Sequence, residues 1–87
     1  MRVHGLRHIG MDDAEDLDLT GLKCPLPALM TAKALRRIRP GGTLIITATD
    51  PLAPLDIRFL CEREGHSFVE QRTEGSAVRM VVRKVAR

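Results

Sequence analysis

The residues best suited to chemistry lie in one short stretch, residues 20–27, which reads Thr-Gly-Leu-Lys-Cys-Pro-Leu-Pro. It joins an alternating, strand-like segment at residues 15–20 to a helical pattern at residues 25–38. Cys24 is therefore placed where a strand ends and a helix begins. The first turn of a helix has unpaired N–H groups and a partial positive charge, which stabilise a nucleophilic thiolate. We therefore expect the pKa of the Cys24 thiol to be lowered.

Two prolines and a glycine fix the geometry around this cysteine. Pro25 suits the first helical position, and Pro27 still falls in the first turn, where no intrahelical N–H donor is required. Gly21 permits the turn that leaves the strand. Lys23 adds a nearby positive charge. Although the prolines remove two N–H donors, the stretch predicts an exposed thiol at the start of the first helix, supported by Gly21, Pro25 and Pro27.

The first helical pattern has two distinct faces at about 100° per residue. Its predicted core stripe consists of Pro27, Met30, Thr31, Ala34, Leu35 and Ile38. Lys33, Arg36 and Arg37 gather on the opposite side. Leu26 and Leu29 fall on that side as well. Beside a candidate nucleophile these five residues are candidates for partner docking. The alternative is an ordinary solvated face with isolated exposed leucines.

The rest of the chain continues an alternation of strands and helices. The predicted elements are strands at 15–20, 43–49, 66–73 and 77–85 and helices at 25–38 and 51–64, with Asp50 as the cap of the second helix. The order β-α-β-α-β-β predicts an α/β (α+β) fold. It is a two-layer sandwich in which two helices pack on one face of a four-stranded mixed sheet. We divide the chain into a flexible N-terminal tail, 1–13, and one folded domain, 14–87.

Three residues have types that bind metals, but their contexts favour other roles. Cys61 shares the apolar face of the second helical pattern with Ala53, Ile57 and Leu60, which predicts a small buried hydrophobe. His4 and His8 have the i, i+4 spacing of helical metal ligands, but they lie in the tail and no third ligand accompanies them. We therefore predict no metal site.

Composition limits the classes of function. With 87 residues the chain forms one small domain with one core. It has two cysteines, no C-x-x-C and no apolar run near the roughly 20 residues of a spanning helix, which indicates a reducing, cytoplasmic setting without a membrane partner. The net charge of +3 and only two aromatic residues make direct nucleic-acid binding the weakest hypothesis.

At Gly21-Leu22-x-Cys24-Pro25-x-Pro27 the sequence resembles the TusA/SirA-like sulfur-carrier family, and the resemblance extends over residues 17–84. Further matching features follow in the same order: Lys33, Pro40-Gly41, Asp50-Pro51, Asp56-Ile57 and Arg83-Lys84. The family fold is a two-layer α/β sandwich, in agreement with the order of predicted elements.

The resemblance implies that Cys24 accepts sulfur as a persulfide from a cysteine desulfurase or similar donor and passes it to an acceptor protein. This sulfurtransferase activity depends on partner proteins and needs no cofactor other than the persulfide itself. Its destinations in the family include tRNA thiolation, molybdenum-cofactor pathways and sulfur oxidation. Asp56 matches an acidic family position and is implied as a supporting residue. Leu26 replaces the acidic residue of the family member that acts in tRNA thiolation. The alternative is a non-catalytic binding or regulatory module of the same fold.

Overall fold

One mixed sheet organises the residues that the computed structural model describes, which are 6–8 and 14–86. Its strands in chain order are β1 (Leu6–His8), β2 (Ala14–Leu19), β3 (Thr43–Ala48), β4 (Ser67–Glu74) and β5 (Ala77–Arg83). Their order across the sheet is β1-β2-β3-β5-β4. The β2–β3 pair is parallel, whereas the other three pairs are antiparallel.

Two helices, α1 (Leu26–Arg37) and α2 (Ala53–Glu64), follow β2 and β3 and cover one face of the sheet. The side chains of Leu17, Ile46 and Met80, which are in register on neighbouring strands, are buried beneath them. Each fully buried Leu, Ile or Met contributes about 1.5–3 kcal/mol of hydrophobic free energy. Neither helix of the described chain is long and apolar enough to span a membrane.

The parallel β2–β3 pair determines where the cysteine stretch lies. Leu19 and Ala48 are paired at the carboxyl ends of these strands, so both strands end at the same edge of the sheet. Each strand is followed by a loop and then by a helix start. The loop after β2 therefore meets the loop after β3 and the first turn of α2, which brings distant parts of the sequence together at one site.

The predicted two-layer sandwich is confirmed: two helices pack on a mixed sheet that contains all four predicted strands, with β1 as an additional edge strand. The core stripe of α1 is buried apart from Met30, which is partly buried. On α2 the predicted face is buried, including Cys61, a free cysteine that is 2% exposed. Gly65 ends α2 in the left-handed conformation, at φ +82°. Gly75 lies in the β4–β5 turn, as the sequence predicted.

One feature at the start of the chain was not predicted, whereas the start of α2 is shifted in the direction that Pro54 indicates in the sequence. β1 adds a fifth strand at the edge of the sheet, within the range predicted as a tail. The rest of residues 1–13, and therefore His4 and the side chain of His8, lie outside the described residues. At α2 the helix begins at Ala53 instead of 51, so Pro54 takes an early position where its missing N–H is tolerated.

Candidate functional site

Cys24 lies in the loop between β2 and α1, and local hydrogen bonds fix the path of this loop. The Leu22 N–H donates to the Leu19 carbonyl at 3.1 Å, which closes a turn. Gly21 has φ +85°, a conformation that strains other residues, and its N–H donates to Thr49 Oγ1 at 2.9 Å. The loop is thereby tied to the end of β3. The Cys24 thiol is exposed and free.

The start of α1 provides few N–H donors near this thiol. Pro25 immediately precedes the helix and Pro27 is its second residue, so neither contributes an N–H group. The Leu26 N–H, which lies between them in sequence, donates to the Lys23 carbonyl at 2.8 Å. The helix begins within one residue of its predicted start. However, its first N–H group is already occupied and does not stabilise a thiolate on Cys24.

The Asp50 side chain joins the loop between β2 and α1, here called the cysteine loop, to the loop between β3 and α2. Its carboxylate accepts a hydrogen bond from the Cys24 N–H through Oδ2 and one from the Leu52 N–H, at 3.2 Å, through Oδ1. The carboxylate is almost buried, with the residue 9% exposed. Asp50 was predicted to cap α2. Instead it anchors the turn that precedes α2 and holds the backbone of Cys24 in place.

Asp56, in the first turn of α2, makes the closest side-chain contact to the sulfur. The Cys24 thiol donates a hydrogen bond to Asp56 Oδ2, with a Sγ to oxygen distance of 3.0 Å. This hydrogen bond, partial desolvation and the negative charges of Asp56 and Asp50 raise the pKa of the Cys24 thiol. The expectation of a lowered pKa was therefore wrong, because two carboxylates outweigh the positive end of the helix.

The raised pKa predicts how alkylation of Cys24 depends on pH. Since the thiolate is the reacting form, its fraction at neutral pH is lower than in a free cysteine, and it grows as pH rises through the raised pKa. Alkylation by iodoacetamide, followed by peptide mapping, should show a midpoint above that of N-acetylcysteine. The Asp56→Asn variant should move this midpoint down. A wild-type midpoint at or below the free thiol would contradict the geometry of the Asp56 contact.

A groove of about 290 Å³ runs from Cys24 between the two helices. Small and apolar side chains line it, among them Ala28, Ala32 and Leu60, and Arg63 lies along it on α2. Leu29 on one wall is 58% exposed and Phe59 on the other is 56% exposed. Large apolar side chains left exposed beside an accessible thiol are typical of a surface that a partner covers.

The predicted docking residues are all exposed, but they occupy different parts of α1. Leu26, 44% exposed, is next to the cysteine loop, and Leu29 lines the groove. Lys33, Arg36 and Arg37 continue along the same helix, with Arg37 at its last position, about 16 Å along the axis from Leu26. The leucines therefore lie at the thiol, and the basic residues lie at a distance where they can act on a partner through charge.

Sequence reasoning missed the contribution of α2 to this surface. Phe59, which is more than half exposed, and Arg63 line the groove, and Leu52 and Leu55 at the start of α2 are apolar residues that are also at least half exposed. A signal was present in the sequence, because the buried face of α2 accounts for none of these apolar residues. The position of Asp50 near Cys24 could also have been predicted, because Asp50 follows the strand that pairs in parallel with the strand before Cys24.

One protein-family model matches nearly the whole of the described domain. The family model "Sulfurtransferase TusA" matches residues 15–84. Among solved structures, the chain is similar to the crystal structure of a SirA-like protein from Desulfitobacterium hafniense. The TM-score is 0.72 at 18% sequence identity, and the match covers 80% of this chain and 96% of the other. At that identity, the structural likeness shows the shared fold.

Proposed function

Because this chain belongs to the sulfurtransferase TusA family, we propose that it is a sulfur carrier with Cys24 as its persulfide site. A cysteine desulfurase or similar donor protein supplies the sulfur, and an acceptor protein removes it. The carried group is the cysteine persulfide itself, so the cycle needs no resident cofactor. The pathways such a carrier would serve are tRNA thiolation, molybdenum-cofactor synthesis and sulfur metabolism.

The observation that carries this proposal is the exposed, free thiol of Cys24 at the open end of a groove. A carrier has to meet two proteins in turn, because its sulfur first attacks a donor persulfide and its persulfide is then attacked by an acceptor thiolate. Both attacks need unobstructed access to the same atom. Exposed thiols stay reduced in compartments such as the cytoplasm, and we include that location in the proposal.

The surroundings of Cys24 suit exchange between sulfur atoms better than hydrolysis. His66 is the one histidine within residues 14–86, and its side chain contacts other groups. Its Nδ1 accepts a hydrogen bond from the Val85 N–H at 3.1 Å, and its Nε2 lies 3.5 Å from Glu64 Oε1. It is therefore not placed to act as a base for Cys24. Thiol–persulfide exchange proceeds through the thiolate, which forms by ionisation of the exposed thiol into solvent, so it needs no dedicated base.

Sulfur loading tests the proposal directly. The wild-type protein is incubated with a cysteine desulfurase, pyridoxal phosphate and free cysteine, and its intact mass is measured without reductant. We expect a gain of one sulfur atom, lost again on treatment with dithiothreitol. The proposed function would be contradicted if none of a broad panel of desulfurases loads the protein while glutathione persulfide does modify Cys24.

The basic residues of α1 should accelerate the encounter with an acidic donor. The double variant Arg36→Glu, Arg37→Glu reverses two charges on the predicted docking face. We expect its association rate with the desulfurase at low salt to fall by about tenfold, with a smaller difference at high salt. Association kinetics measured by surface plasmon resonance over a salt series provide the test.

A matched control carries the same change in net charge on another surface. Arg79→Glu, Arg83→Glu places it on β5, at positions alternating with the buried Met80 and Val82 and therefore on the sheet face away from the helices. This control should associate almost as fast as wild type. Equal slowing of both variants would indicate a general charge effect and would remove α1 as the docking face.

A further inference from the structure

The contact between Asp56 and Cys24 has opposite consequences for the empty and the loaded carrier. We propose that Asp56 biases the protein towards giving sulfur away, because its carboxylate stabilises Cys24 as a thiol and destabilises Cys24 as a persulfide. Asp56 thus sets, through its direct contact with Sγ, how tightly sulfur is held. This inference rests on the proposed function, since it concerns the transfer step at the same sulfur atom.

In the empty carrier the contact is favourable. The proton on Cys24 Sγ is directed at Asp56 Oδ2, 3.0 Å away, and hydrogen bonds to carboxylates are stronger than those between neutral groups. Asp56 itself is fixed by its place in α2, where its N–H donates to the Leu52 carbonyl at 3.1 Å. The backbone of Asp56 is therefore fixed beside the cysteine loop, at a position from which its carboxylate reaches the sulfur.

Loading removes this hydrogen bond. The Cys24 thiol ionises, and its thiolate attacks the outer sulfur of a donor persulfide, R–S–SH, so that the donor S–S bond breaks and a new S–S bond forms on Cys24. The donor sulfur leaves with the bonding electron pair as R–S⁻ and takes up the proton that Cys24 released, which gives R–SH. The new persulfide then loses its own proton to solvent. No oxidant or reductant is consumed. Sγ now has no hydrogen, and the terminal sulfur, about 2 Å beyond it, carries a negative charge.

The charged groups around the loaded sulfur then decide its stability. Asp56 from α2 and Asp50 from the loop after β3 both place carboxylates next to Cys24, and like charges at this distance repel. Two basic residues of the described part lie in this region: Lys23 directly precedes Cys24, and Arg63 lines the groove seven residues along α2 from Asp56, or about 10 Å. The charged groups that shift the pKa of the Cys24 thiol are nevertheless the two carboxylates, and both raise it.

Discharge restores the favourable contact. An acceptor thiolate attacks the terminal sulfur, the S–S bond on Cys24 breaks, and Sγ leaves as a thiolate that takes up the proton released by the acceptor. The hydrogen bond to Asp56 then forms again. At equilibrium with a given ratio of persulfide to thiol, the wild-type protein should therefore have a lower loaded fraction than a variant that lacks the Asp56 carboxylate.

The Asp56→Asn variant tests this with a chemical probe and no partner protein. Wild type and variant are equilibrated with glutathione and glutathione persulfide at a fixed ratio, and the loaded fraction is read by intact mass. We expect the loading constant of Asp56→Asn to exceed that of wild type by about two- to fivefold, the range for exposed charge contacts. Glu62→Gln makes the same chemical change at an exposed position of α2 and should match wild type.

Equal or lower loading of Asp56→Asn would overturn the inference, as would an equal rise in Glu62→Gln. If the variant does not fold, wild type alone decides, because the loaded protein should unfold at a lower temperature than the empty one. A midpoint that is unchanged or higher on loading would overturn it. Loading by glutathione persulfide with the expected difference, but by no desulfurase, would refute the proposed function and leave the Asp56 inference standing.

Discussion

The Cys24→Ser variant is expected to gain no sulfur from a cysteine desulfurase and free cysteine, whereas wild type gains one atom. Serine has no sulfur on which a persulfide can form. Its hydroxyl can still donate to Asp56, and its N–H can still donate to Asp50, so the loop keeps its anchors. The thermal midpoint should therefore stay at the wild-type value. Intact mass after incubation measures the loading, and circular dichroism measures the midpoint.

Cys61→Ala is the matched control for this experiment. Cys61 is buried on α2, and burial raises the pKa of its thiol to about 11, so it is a poor nucleophile at neutral pH. The control should load to the wild-type level. Loading that persists in Cys24→Ser would show that the carrier site is elsewhere. Full activity of Cys24→Ser in cells would instead favour the non-catalytic binding module, in which the Cys-Pro-x-Pro stretch acts only as a structural cap.

The fold was predictable because its elements have strong local patterns. β3 consists almost entirely of β-branched and apolar residues, as a central strand between two neighbours should. On α2, Ala53, Ile57, Leu60 and Cys61 recur at helical spacing, and all four are buried. β1 has no such pattern, because three residues are too few to show a period. Its pairing with β2 becomes visible only in the folded chain.

The electrostatics of the site were not predictable from the same local reasoning. The expected effect of the helix start on Cys24 considered only residues next to it in sequence. The groups that determine its pKa are Asp50 and Asp56, which lie 26 and 32 residues away and arrive through the parallel pairing of β2 with β3. A short-range partial charge at a helix end is weaker than two nearby full charges. The direction of the pKa shift of Cys24 could therefore be derived only once the strand topology was known.

The Asp50→Asn variant is expected to lose about 2 kcal/mol or more of unfolding free energy, although the side chain hardly changes in size. Both carboxylate oxygens accept backbone N–H groups, those of Cys24 and Leu52. An amide has only one oxygen, so its NH₂ must face one of these donors and leave that donor unsatisfied in a nearly buried site. For a domain of this size the thermal midpoint should fall by about 10 °C.

Urea unfolding of Asp50→Asn beside Asp56→Asn separates the two carboxylates by their roles. Asp56 is less buried than Asp50 and accepts from a side chain, so its replacement should change Cys24 chemistry with little effect on the urea midpoint. Asp50→Asn should instead lower the urea midpoint. It should change sulfur loading only indirectly, because the cysteine loop is displaced. Equal midpoints in the two variants would mean that the Cys24 and Leu52 N–H groups find other acceptors. Asp50 would then not be the residue that joins the cysteine loop to α2.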